Sequence, residues 1–258
     1  MIDLHCHVLP GIDDGPDSME ESVALARVAA AAGIRTLVAT PHVSWEYFND
    51  SQTIARLAVD VNERLVAANI PVHVLTGAEL AATKAADLSD EQLTSLRLGG
   101  GPWLLVECPL TPVTTGFETL LRTLQARGHA IVLAHPERSA GLRRDPNTVG
   151  RLIEAGMLTS ITAGALVGRF GRDVRGFAHR LVEAGMVHSV TSDAHDAQRR
   201  PPSLVAEMTE CGLGALSEWA TQTVPSAILS GAPIPPRPVA ASRDAAGHWW
   251  QRASRRGG

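Results

Sequence analysis

An α/β barrel of seven or eight parallel strands, forming a single domain, is the fold class that this sequence predicts, on three observations. Apolar runs that read as strands alternate with helical patterns, the signature of a parallel α/β architecture. A helix, glycine, strand unit recurs: Arg151-Leu-Ile-Glu-Ala-Gly-Met157 into Leu158 to Thr162 is echoed by Arg180-Leu-Val-Glu-Ala-Gly-Met186 into Val187 to Thr191. Strand after strand also ends, within a residue or two, in a histidine or a carboxylate. About seven strands are counted, which favours a closed barrel over an open doubly wound sheet. The length of 258 residues suits one such domain, since α/β barrels run to roughly 200–250 residues.

The elements follow in order. Met1 to Leu4 reads as a strand running into His5-Cys6-His7. Asp17-Ser18 precedes Glu20-Glu21 and an Ala/Leu/Val run, so a capping side chain is followed by acids in the first helical turn. Thr36 to Ala39 runs as a strand towards His42, Asp50-Ser51 opens a helix through about Leu65, and Val72 to Gly77 leads to Glu79. Ser89-Asp90-Glu91 opens a short helix, Gly99-Gly100-Gly101 is a turn, and Trp103 to Val106 ends in Glu107. Ile131 to Ala134 ends in His135, and Val190 to Ser192 in Asp193-Ala194-His195. Gly33, Gly128, Gly156 and Gly185 stand where helices stop, a position that favours a left-handed residue. After roughly Pro225 the pattern fades. Residues 1–232 are expected to form the barrel and 233–258 a mobile tail, with an extended Pro233 to Pro238. Trp249 and Trp250 in that tail offer the alternative of an oligomer or partner contact, being otherwise exposed apolar surface.

Composition narrows the function. A net charge of −4 leaves no basic footprint for nucleic acid. No stretch approaches the ~18 uninterrupted apolar residues of a membrane span, and a chain that opens on a strand leaves no room for a signal peptide, so a cytoplasmic location is expected. Three cysteines agree with a reducing compartment. Cys108 and Cys211 are expected to be small buried hydrophobes.

The chemistry lies at the strand ends. Residues two apart in a strand face one side, so His5 and His7 can both point into a barrel mouth. His42, Glu79, Glu107, His135, Asp193 and His195 end independent strands, and one rim of a parallel barrel collects them all. Buried acids and histidines gathered there carry a large desolvation cost unless paired or metal-bound. His73, His129, His179 and His188 fall away from that rim and read as surface or core residues, and His248 lies in the tail. Imidazole and carboxylate donors without cysteine favour Zn, Mn or Fe, and bridging carboxylates favour two or more ions. Paired ions suit hydrolysis, above all of phosphate esters. Arg138 and Arg200 follow the donors closely and can fork onto phosphate oxygens. Competing chemistries lack their motifs. Neither Cys6, Cys108 nor Cys211 has an arginine six residues on, and there is no Gly-x-Ser-x-Gly elbow or Gly-x₄-Gly-Lys-Ser/Thr loop.

With these residues assembled, the chain resembles the polymerase-and-histidinol-phosphatase (PHP) superfamily. More narrowly, it is similar to the bacterial PHP protein-tyrosine phosphatases of capsule and exopolysaccharide loci. The resemblance rests on Met1-Ile-Asp-Leu-His-Cys-His-Val-Leu-Pro-Gly-Ile-Asp-Asp-Gly15, Glu20-Glu-Ser22, Ala39-Thr-Pro-His42, His135-Pro-Glu-Arg138 and Ser192-Asp-Ala-His195 with Arg200-Pro-Pro202. It implies a distorted TIM-like barrel with three divalent cations, manganese foremost and iron or zinc as alternatives. It implies that His5, His7 and Asp193 hold one metal, that Glu79 bridges it to a second held by Glu107 and His135, and that Asp14, His42 and His195 hold a third. Arg138 and Arg200 then orient the phosphate. Cys6, Val43 and Ser139 depart from the family's usual serine, histidine and tyrosine. The function implied is a metal-dependent protein-tyrosine phosphatase acting on a tyrosine kinase that controls polysaccharide export. Histidinol phosphate or another small phosphomonoester is the alternative within that chemistry, and a non-catalytic metal-binding regulator the alternative outside it.

Overall fold

Nine strands, every pair of them parallel, ring the core of the computed structural model, which describes residues 1–112 and 115–238. They are β1 (Ile2–Cys6), β2 (Thr36–Ala39), β3 (His42–Val43), β4 (His73–Thr76), β5 (Glu79–Ala81), β6 (Trp103–Glu107), β7 (Ala130–Ala134), β8 (Leu158–Thr162) and β9 (Ser189–Thr191). The hydrogen-bonded order is β1-β2-β4 and β3-β5-β6-β7-β8-β9. β2 and β3 are halves of one strand position and β4 and β5 of another, so the ring has seven positions, matching the sequence count. Strands such as Ala130–Ala134 are buried almost throughout, which is why they read as unbroken apolar runs.

The two interruptions distort the barrel, and the sequence explains both. Pro41 has no N–H to give a ladder and restricts Thr40 before it. Thr40 turns back on β1 instead, its N–H donating to Cys6 O at 2.9 Å and its hydroxyl accepting from Cys6 N at 3.0 Å. At the second break a Cβ on Gly77 would stand 3.0 Å from Val38 Cγ1, so only glycine lets the chain come so close. In consequence His42 and Glu79 do not terminate strands, as the sequence reading had them. They open short ones, paired with each other in register.

The ring closes where β1 meets the segment after β9. Asp193 N donates to His5 O at 2.9 Å and His7 N to Ala194 O at 2.8 Å. Asp3, fully buried, clasps the joint: its carboxylate accepts from His5 N at 3.3 Å, from Ser192 N at 3.1 Å and from the Ser192 hydroxyl. Burial pushes the Asp3 carboxyl up to about 6 against the opposing pull of those bonds.

The outer helices carry the expected caps. Ser18 accepts from Glu21 N, Asp50 from Thr53 N, and Ser89 forms a capping box with Gln92. Gly156 and Gly185 take φ of +87° and +71° at the ends of the repeated helices. Two readings need correction. Cys211 is half-buried rather than a core residue, its Sγ donating to Leu166 O at 3.3 Å. The pattern also does not end at Pro225: a π-helical turn, Trp219–Thr223, runs into a helix, Val224–Ser230. Pro225 stands in its first turn, where a missing N–H matters little, and Gly101 makes room for it, a Cβ there falling 2.6 Å from Leu229 O. The proline-rich segment is tied down as far as described, Trp219 Nε1 donating to Pro235 O at 3.2 Å and Arg237 Nη1 to Val182 O at 2.7 Å. The rest of the expected tail, with Trp249 and Trp250, lies outside the described residues. No helix among the described residues is long and apolar enough to cross a membrane.

The rim opposite the mouth holds a histidine kept neutral. Thr159 N donates to His188 Nδ1 at 3.1 Å, and burial, with Arg237 nearby, pulls that imidazole down to about 4. The unfolded chain, with an ordinary histidine, takes up the proton first as pH falls, so stability is lost between about pH 6.5 and 4. Relative to His188→Asn, which keeps an acceptor but not the titration, the wild type should lose about 2–3 kcal/mol over that interval. Urea unfolding of both proteins at the two pH values measures this; parallel losses would show that His188 is not the linked group.

Candidate metal centre

Nine donors from seven segments of the chain converge at the C-terminal rim of the ring. His5 is the penultimate residue of β1 and His7 lies just past its end, both buried, their Nε2 atoms 3.2 Å apart. From β5, Glu79 brings a carboxylate that is 1% exposed. Its Oε2 lies 3.1 Å from His5 Nε2, 3.2 Å from His42 Nδ1 and 3.4 Å from His7 Nε2, yet it makes no hydrogen bond. Its Oε1 meets His135 Nε2 at 2.7 Å. Asp193 divides its two oxygens. Oδ1 faces His5, His7 and His195 at 3.4, 3.5 and 3.7 Å, whereas Oδ2 accepts from Arg138 Nη1 at 2.6 Å and Arg200 Nη2 at 2.7 Å. Asp14, half-exposed on the loop over the mouth, stands 3.2 Å from His195 Nε2 and 3.4 Å from His42 Nε2.

These positions require unusual backbone. His135 and Asp193 have φ of +32° and +50°, conformations that cost about 1–3 kcal/mol and persist only where surrounding structure imposes them. His135 is fixed by its N–H to Ser160 O and by Arg138 N on its carbonyl, both 2.9 Å, and Asp193 by the ring closure.

The electrostatics follow from burial against opposite charge. Burial would raise the carboxyls of Glu79 and Asp193, but the imidazoles, with Arg200 beside Asp193, hold both well below the carboxylate range. Burial would lower His7, His42 and His135, yet the facing carboxylates raise all three. Glu107 is pushed up by its burial and by the charge of Glu79. A divalent cation would compete with protons for these ring nitrogens.

Four overlapping groups bring their ligand atoms within 4.8 Å of one another: His7 with Asp14, His42 and His195; His5 with His7 and Asp193; His5 with Glu79 and His135; and His42 with Glu79 and Glu107. All nine sequence-predicted donors enter at least one group. The division differs from the one the resemblance implies, since Glu107 gathers with His42 rather than with His135. The unpartnered Glu79 oxygen facing three ring nitrogens is the arrangement that a cation resolves, and the donor set suits Mn, Fe or Zn. The histidines assigned elsewhere stay elsewhere: His129 bonds Arg97 and Asp90, His179 bonds Leu166 O, and His73 is exposed.

Three contributors went unnoticed in the sequence. Asp13, next to the recognised Asp14, accepts from His7 Nδ1 at 2.7 Å and from His42 N at 3.1 Å, which turns His7 Nε2 towards the centre. Nothing in an Asp-Asp pair says which side chain turns inward. Here Gly15 decides it, because a Cβ there would meet His7 O at 2.6 Å and the loop is drawn tight against β1. Tyr47 stacks on His42 at 5.6 Å, and Phe170 lies over the guanidinium of Arg138 at 4.7 Å. Being the single tyrosine, five residues after a candidate ligand, was a signal for the first.

Residues 1–214 match the family described as capsular polysaccharide synthesis, CpsB/CapC. The chain belongs to the CpsB/CapC family. Within it, the tyrosine-protein phosphatase YwqE of Bacillus subtilis is 40% identical over 203 residues, 78% of this chain and 79% of the relative. The tyrosine-protein phosphatase CpsB of Streptococcus pneumoniae is 30% identical over 164 residues, 63% of this chain and 68% of the relative. A crystal structure from work on YwqE and CpsB, described as unique metal-dependent tyrosine phosphatases, superposes with a TM-score of 0.82 at 36% identity, covering 93% of this chain and all (100%) of the other.

Asp13→Ala should free the His7 ring and weaken Mn²⁺ binding by roughly ten- to a hundredfold, the usual effect of losing a ligand's orienting partner, with the fold intact. Calorimetric titration of metal-free protein, with circular dichroism as control, reads both; unchanged affinity would deny Asp13 an orienting role.

Proposed function

We propose that this CpsB/CapC protein is a metal-dependent tyrosine-protein phosphatase acting on a phosphotyrosine protein of capsule or exopolysaccharide synthesis, a cytoplasmic bacterial tyrosine kinase. Three divalent cations, manganese foremost, are held by His5, His7, Asp14, His42, Glu79, Glu107, His135, Asp193 and His195. When bound they supply an activated water and neutralise phosphate oxygens.

The observation that carries this reading is the pair of arginines at the edge of the imidazole and carboxylate cluster. Both guanidiniums reach Asp193 Oδ2 through one nitrogen, and Arg200 Nε is buried with no partner. The two side chains are 19% and 25% exposed at the mouth, so their remaining guanidinium N–H groups can meet a phosphate oxygen, and charge-assisted forks suit that role. Asp193 keeps the two cations of the guanidinium pair beside the donors, so charge that develops on the phosphate meets groups already in place.

The aromatic side chains support an aryl phosphate over histidinol phosphate. Tyr47 lies against His42 with rings 16° from parallel, and Trp45 and Phe48 beside it are 54% and 74% exposed, a ledge able to receive a tyrosyl ring. A cysteine nucleophile has no support. Cys6 and Cys108 are fully buried, and burial followed by nearby carboxylates pushes both thiols well above their usual range. Cys6→Ser should therefore keep most of the activity.

Chelation should abolish hydrolysis of a phosphotyrosine peptide and Mn²⁺ should restore it; full turnover by metal-free protein would end the proposal, and preference for histidinol phosphate would redirect it. Arg138→Ala and Arg200→Ala should each retain metal and lose roughly ten- to a hundredfold in kcat/KM, the worth of a charge-assisted bond of ~1.5–3 kcal/mol. Glu79→Ala should lose metal along with activity. Metal stoichiometry measured beside kinetics separates these roles, and metal loss in the arginine variants would show that they are misassigned.

A further inference from the structure

A groove of about 450 Å³ beyond β7 and β8 is lined by Arg143, Arg144, Arg172 and Arg180, with Asp173 its one acidic residue. The phosphatase chemistry uses none of these four. The whole chain carries a net charge of −4, so this face runs against the balance of the molecule. Some surface arginines pair off, as where Arg122 and Arg151 share Glu118 and Arg169 takes Glu207, and a few, such as Arg27 and Arg199, stand singly. Arg144, Arg172 and Arg180 have no carboxylate partner among the described residues. Like charges crowded on one face repel, and such a face raises the local concentration of anions.

The groove is joined to the candidate centre. Arg143 Nη1 donates to Arg138 O at 2.7 Å and to Glu137 O at 3.2 Å, building the groove wall onto the turn that presents Arg138. Phe170, two residues before the groove residue Arg172, lies over the guanidiniums of Arg138 and Arg200 at 4.7 and 5.9 Å. Both links lead to the arginine side of the mouth.

We propose that this groove docks an anionic stretch of the substrate polypeptide, its carboxylates or further phosphates lying along the arginines while a phosphotyrosine enters the mouth. The proposal rests on the phosphatase reading for what occupies the mouth, and on the groove alone for the charge of what lies beside it. Planar guanidiniums match carboxylate and phosphate oxygens two at a time. A lipid surface fits less well, because membrane-lying faces pair basic residues with apolar anchors. The exposed large apolar residues Trp45, Phe48, Val59, Val66 and Leu110 do not line this groove.

The test uses Arg144→Ala combined with Arg172→Ala, which leaves the Arg143 bonds behind Arg138 in place. The probe is a fluorescent glutamate-rich peptide carrying a non-hydrolysable phosphonate analogue of phosphotyrosine, compared by anisotropy with its glutamine counterpart on the Mn²⁺-loaded protein. The wild type should bind the glutamate peptide about three- to tenfold more tightly, a margin sized for solvent-exposed pairs that shrinks with added salt and disappears in the double variant. With the phosphorylated peptide as substrate, kcat/KM should fall by the same factor in the variant, while para-nitrophenyl phosphate, too small to reach the groove, is turned over as before. Equal affinity for the two peptides, or a variant that loses both substrates alike, overturns the proposal. So does a wild type that shows no peptide preference but sediments with phosphatidylglycerol vesicles through these arginines, which would assign the groove to a membrane surface. Absence of turnover on either substrate sinks the phosphatase reading instead, and the anisotropy still decides the groove.

Discussion

Everything at the mouth depends on one joint, where β1 is zipped in parallel to the segment after β9 by the bonds Asp193 N to His5 O and His7 N to Ala194 O. Residues from the two ends of the barrel's sequence thereby become neighbours. Without that pairing, His5 and His7 would face open space, and Asp193 and His195 would hang from a frayed strand. Asp3 secures the joint from below through its bonds to Ser192 and His5. A buried carboxylate is an expensive fastener, but it satisfies three donors at the one seam where the ladder is thin. The closure is also what imposes the positive φ at Asp193. The strain and the chemistry therefore have a common origin.

Charge balance is the second constraint. Glu79 and Asp193 sit almost without exposure among imidazoles and guanidiniums, and each acts in two directions. Glu79 faces His135 with one oxygen and three other rings with its second; Asp193 faces the rings with one oxygen and the arginines with its second. Removing either would strand several positive groups in a place where water does not reach to solvate them.

Most of this was legible in the sequence because its signals are local and periodic. Continuous apolar runs marked buried parallel strands, the repeated glycine stops marked helix ends, and donors at strand ends marked the rim. What stayed hidden depends on contacts between distant segments. The broken strands at Thr40-Pro41 and Gly77-Ala78 shift His42 and Glu79 into a new pair of short strands, and only the approach of Val38 to Gly77 makes the second break necessary. Asp13 could not be told from Asp14 without the path of the loop. The helix at 224–230 escaped because its proline and serines carry no helical stripe, and packing over Gly101 supplies what propensity lacks. Cys211 read as buried because free cysteine so often is, yet its place after a short helix leaves it half-buried.

The single Asp13 oxygen that receives both the His7 ring and the His42 backbone works as a mechanical latch. The loop that carries it also carries Asp14 across the mouth, so that loop cannot swing outward without letting the His7 imidazole rotate. The opposite bank is fastened as well, since Arg138 and Arg200 both hold Asp193 Oδ2. Each side of the entrance is therefore bolted to a donor, and neither can give way without disturbing the chemistry.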